Sequence, residues 1–115
     1  MPLKMTDRNV GNVSVLELEG RIVLGEESSA LRERVKSLLG QDRKQIVLNM
    51  ANVSYIDSAG LGALVASFTS AKNQGAILKL ANLGQKFREV LQVTKLFTVF
   101  DVYDNEQAAV ASFPK

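Results

Sequence analysis

The chain contains neither cysteine nor histidine. The first absence removes disulfides, thiol nucleophiles and thiolate metal sites together. The second removes the commonest metal ligand and the commonest general base near neutral pH. No apolar run approaches the ~20 residues that cross a bilayer as a helix. The opening stretch, MPLKMTDRN, lacks the apolar core of a signal peptide, so the expected setting is the cytoplasm, with no membrane partner. Charge of one sign is also scarce: 14 Lys and Arg against 12 Asp and Glu leave a net +2. The densest basic group is Arg32, Arg34 and Lys36, interrupted by Glu33. It reads as a solvated helix surface rather than a phosphate-tracking groove, and no direct nucleic-acid binding is expected.

What remains is material for one folded domain spanning 1–115. A chain of 115 residues with 46% hydrophobic content can bury roughly two-thirds of its unfolded surface, and a charged content of 23% argues against disorder. Gly11-Asn12, between two extended segments, predicts an opening hairpin. Val15 to Leu24 is rich in β-formers, with Leu16, Leu18, Gly20 and Ile22 on one face. Leu31, Val35, Leu38 and Leu39 make a helical stripe over Ser28 to Leu39, and Gly40 is the expected residue just past its end. The apolar run Gln45–Met50 predicts a strand covered on both faces. A helix follows over Ser58 to Asn73, stopped by Gly75. Ala76–Ala81 predicts another strand, Phe87, Val90 and Leu91 a third helix, and Thr98–Tyr103 the last strand. Asp104 with Gln107 then resembles a capping box for a short final helix to Phe113. The order ββαβαβαβα implies an α/β domain, with a mostly parallel central sheet, an antiparallel N-terminal hairpin and about four helices.

One stretch breaks the local rules. In "YIDSAGLGALV", Gly60 and Gly62 fall inside a helix, where each costs roughly 1 kcal/mol relative to alanine. Asp57 or Ser58 acting as a cap, with glycines for close packing against the sheet, is the plainest reading. A phosphate-binding loop is a poor match: Val65 stands where the dinucleotide fingerprint needs a third Gly or Ala, no Walker lysine follows, and a strand ending near Met50 leaves about seven residues of connection. A nucleophilic Ser58 lacks the G-x-S-x-G elbow and a histidine, and the first lysine after it is Lys72, so no enzyme and no cofactor are expected. Ser58 can instead receive chemistry. A kinase brings its own base and metal, and needs only an accessible hydroxyl. The two glycines would then leave a low, flat helix entrance for a partner, and a phosphate beside Asp57 would disturb docking without disturbing the fold. In a parallel sheet, the segment Gly20–Ser28 would open on the same side.

The segment VSYIDSAGLGALV, following IVLNM and preceding a helix that stops at Gly75, closely resembles the anti-sigma factor antagonists of the STAS family (sulfate transporter and anti-sigma factor antagonist domain). The resemblance extends over nearly the whole chain. It implies a STAS fold and a regulatory function in transcription. The serine matching Ser58 is the phosphoacceptor of an anti-sigma factor that is itself a serine kinase; the unphosphorylated antagonist binds that kinase and frees the sigma factor, and a serine phosphatase resets the cycle. By the same match Ile56, Asp57, Ala59, Gly60, Leu61 and Gly62 belong to the docking surface. The chain departs from the pattern at Val23, a partner-facing position where many members carry an acidic residue. Either Val23 merely extends the strand, or nearby Glu26 supplies the charge, or the partner differs. The alternative function is a STAS adaptor that is never phosphorylated, within a signalling or transporter assembly.

Overall fold

Gly11, with φ of 61°, turns the chain between β1 (Lys4–Val10) and β2 (Val13–Ile22), and the two strands pair antiparallel. Glycine suits that left-handed turn position because it carries no Cβ. The computed structural model describes residues 3–113. Beyond the hairpin come α1 (Glu26–Gly40), β3 (Gln45–Ile56), α2 (Ser58–Asn73), β4 (Ile77–Ala81), α3 (Gln85–Thr94), β5 (Asp101–Tyr103) and α4 (Glu106–Ala111). The five strands form one sheet in the order β1-β2-β3-β4-β5, with every pair after the hairpin parallel. The α/β architecture, the opening hairpin and the element order therefore agree with the sequence reading.

Both faces of the sheet are covered, which explains the uninterrupted apolar runs of β3 and β4. On one face Leu16, Leu18, Ile46, Leu48, Leu78 and Leu80 pack with the apolar stripes of α1, α2 and α3. On the other, Val13, Val15, Val47 and Ala81 pack with Ala109 and Phe113 at the end of the chain. Lys79 is buried on this second side, its ammonium 2.7 Å from the Ser112 hydroxyl and 4.5 Å from the centre of the Phe113 ring. The hydroxyl and the aromatic face solvate that cation in place of water.

Four local expectations need correction. β3 does not stop near Met50 but runs on to Ile56, leaving Asp57 alone as the connection to α2. Its second half mixes apolar and polar residues because β4 pairs only with Gln45–Asn49, and beyond that β2 is the only strand beside it among the described residues. Two register shifts give β3 one extra residue each against β2, the signature of bulges that bend a strand. At the end of β4, Asn82 takes a left-handed φ of 61° and its amide donates to the buried Asn49 side chain (3.1 Å), so the chain turns away from β3. The last strand covers only Asp101–Tyr103; Leu96–Thr98 form a 3-10 turn, and Phe100 is a core residue meeting Phe68 edge to face at 5.6 Å. The final helix is capped by Asn105, which accepts the Ala108 N–H at 2.8 Å, while Asp104 pairs with Arg88. Gly40 is the last residue of α1, and the left-handed turn falls to Asp42 (φ 63°).

Candidate functional site

The C-terminal ends of β2 and β3 lie side by side, with Ile22 opposite Ile56. The segments leaving them, Val23–Gly25 and Asp57, thus emerge together, as parallel topology requires. Asp57 joins them. Its backbone N–H donates to the Ile22 carbonyl (3.2 Å), and its own carbonyl accepts the first α2 hydrogen bond, from Leu61 (2.9 Å). One oxygen of its carboxylate accepts the Gly60 N–H at 2.8 Å, and the other accepts the Leu24 N–H at 3.0 Å. A single side chain therefore caps α2 and holds the β2–α1 loop beside it. These charge-assisted bonds, the one from Gly60 first and the one from Leu24 second, hold the Asp57 carboxyl below the usual carboxylate range.

This double contact has a pH signature. With a folded value depressed below the unfolded one, the stabilisation is fully present above about pH 4. It is lost as pH falls through the lower, folded value. Asp57→Ala is expected to lower Tm by about 5 °C at pH 7. The gap from the wild type should close progressively on acidification below about pH 4. Thermal melts of both proteins from neutral to acid pH check this; a gap independent of pH would mean that the charge of Asp57 is not what stabilises the loop.

Ser58 is the first residue of α2 and is exposed. Its hydroxyl has no hydrogen-bond partner among the described residues, so nothing there activates it as a nucleophile. The tight β3-to-α2 connection has the length of a phosphate-binding turn. Yet the Asp57 carboxylate already takes the Gly60 N–H and puts negative charge where a phosphate would sit. Among the described residues no cluster of acids could hold a metal ion.

The two glycines part company. Gly60 is buried, and a Cβ there would stand 2.0 Å from the Ile22 carbonyl oxygen and 2.8 Å from Ile56 Cγ1. It lets α2 approach the end of β2, so the expectation that it clears space for a partner is corrected to internal close packing. At Gly62 a Cβ would meet nothing within 4 Å. Ile56, Ala59, Leu61 and Val23 are all half-buried. The Val23 carbonyl accepts the Ser28 N–H (3.1 Å) in the turn into α1, and Glu26 is exposed in the first turn of that helix.

Two exposed side chains at this end of the sheet escaped the sequence reading. Leu24 is 77% exposed and Tyr55 53% exposed, with the Arg21 guanidinium 5.4 Å from the Tyr55 ring centre. Leu24 carried a usable signal: a leucine beside Gly25, after the strand period has ended, has no core to enter. Tyr55 carried none, because the extension of β3 was not legible.

Residues 4–109 match the STAS domain. The anti-sigma-B factor antagonist of Bacillus subtilis is 32% identical, over 86% of this chain and 96% of that protein. Among solved structures, an anti-sigma factor antagonist from Mycobacterium paratuberculosis superposes with a TM-score of 0.85 at 19% identity, covering 96% of this chain and 92% of the other. The Bacillus cell-fate determinant SpoIIAA in its phosphorylated form gives 0.73 at 19%, over 96% of this chain and all of the other. No helix among the described residues is long and apolar enough to cross a membrane. With the hairpin, the parallel sheet and the Asp57-Ser58 entrance to α2 in place, the chain belongs to the STAS domain family.

Proposed function

We propose that this protein is an anti-sigma factor antagonist switched by phosphorylation of Ser58. Unphosphorylated, it docks on an anti-sigma factor with serine-kinase activity through the end of the sheet that carries Ser58, Leu24, Tyr55, Leu61 and Gly62, and so releases a sigma factor. The kinase phosphorylates Ser58, the complex separates, and a serine phosphatase restores the docking form. The observation that carries this reading is the setting of Ser58: an exposed, unbonded hydroxyl on the first residue of a helix, beside a carboxylate already committed to two backbone N–H groups. The curated relative from B. subtilis is named for the same role, and SpoIIAA, which shares the fold, is known in a phosphorylated form.

Val23 favours a second reading. An aliphatic side chain there gives a kinase no charge to recognise, as suits a STAS adaptor that is never phosphorylated. Mass spectrometry after incubation with ATP and the kinase-type anti-sigma factors of the source organism separates the two. Wild type is expected to gain one phosphate and Ser58→Ala none. Unmodified wild type with every such kinase would leave the adaptor reading in possession.

A further inference from the structure

Because β3 continues past β4, a space is left between its overhang and the start of α3. The cavity there measures about 380 Å³. Its walls are mostly apolar, Met50, Val53 and Ile56 from β3 with Phe87 and Val90 from α3, and Ser54 and Gln85 add polar groups to the lining. Met50 and Phe87 are buried, whereas Val53, Ile56 and Val90 are half-buried and turn their remaining surface to the space. Lys86 also lines it, with no ion-pair partner among the described residues. The acid one turn on, Glu89, is engaged by the Gln85 amide at 3.3 Å.

We propose that this cavity binds a small amphiphile, with its apolar chain between β3 and α3 and an anionic head at Lys86. The volume lies at the low end of the range of about 300–1,000 Å³ typical of ligand pockets, and apolar walls with few polar groups are their usual lining. The inference does not depend on the proposed function.

The test is a titration of the ¹⁵N-labelled protein with sodium decanoate below its micellar concentration, with 1-decanol and decyltrimethylammonium in parallel. Saturable amide shifts are expected, centred on residues 50–56 and 84–90. Decanoate should bind up to about fivefold more tightly than decanol, and Lys86→Glu should abolish that preference. Val53→Trp and Val90→Trp, each verified as folded by amide dispersion, should lose the shifts by filling the cavity. Lys86 is exposed, so its variant remains informative even if the core-facing ones fail to fold. Absence of saturable shifts, shifts centred elsewhere, binding undiminished in a folded cavity-filled variant, or equal affinity for decanoate and decanol each overturns the proposal.

Discussion

Ser58→Asp is expected to weaken docking to the anti-sigma kinase by roughly 100-fold or more, whereas Ser58→Ala should stay within about threefold of wild type. The fold should not suffer, because a negative charge at the first residue of a helix is favoured by the helix dipole. What makes the charge effective is the prior commitment of Asp57. Its carboxylate already takes the N–H groups of Gly60 and Leu24, so those donors are not free to neutralise a second anion. The added charge therefore faces outward, next to an existing negative charge, on a surface carrying the exposed apolar side chains of Leu24 and Tyr55. A partner matched to that surface must strip water from an anion it cannot pair, which costs several kcal/mol. Calorimetric titration of the purified kinase with the three proteins measures the effect, with thermal melts confirming that all are folded. Docking by Ser58→Asp as tight as by wild type would falsify the charge mechanism even if Ser58 is a true phosphoacceptor.

The parts legible in the sequence are those set by local rules. The hairpin was legible from Gly11-Asn12, the helices from their apolar stripes, and the parallel sheet from alternation of strands and helices. The hairpin and helix signals each lie within about a dozen residues, and the sheet follows from the order of the elements they define. The misread parts depend on partners distant in the chain. β3 is a continuous apolar run only where β4 also flanks it, so its continuation through Ala51–Ile56, where apolar and polar residues mix, looks like a loop. Phe100 looks like a strand residue, yet it serves as an anchor against Phe68, thirty-two positions earlier. The cap at Asn105 was displaced by one residue because Asp104 is drawn to Arg88 on another helix. At the candidate site the same division holds. The oddity of two helical glycines was visible at once, but a sequence cannot say which one faces inward, since that depends on how closely the Ile22 carbonyl approaches.

That difference between the glycines leads to opposite outcomes for the same substitution two residues apart. Gly60→Ala would bring a methyl group to 2.0 Å from the Ile22 carbonyl oxygen and 2.8 Å from its carbonyl carbon. Both are backbone atoms, so relief requires moving α2 or the end of β2. The same backbone bonds Asp57, so a shift would also loosen the cap. A loss of about 3 kcal/mol or more is expected, the upper part of the overpacking range. Gly62→Ala meets open space at a helical position without positive φ, so removing glycine there should stabilise the fold by about 0.5–1 kcal/mol. If Gly62 is the clearance for the kinase, that more stable variant should dock less well. Urea denaturation of the two variants gives the stabilities, and kinase titration gives the docking. A Gly60→Ala protein as stable as wild type would refute the close approach of α2 to β2. A stabilised Gly62→Ala protein with undiminished docking would leave Gly62 without a role in recognition and narrow the docking surface to Leu24, Tyr55, Ser58 and Leu61.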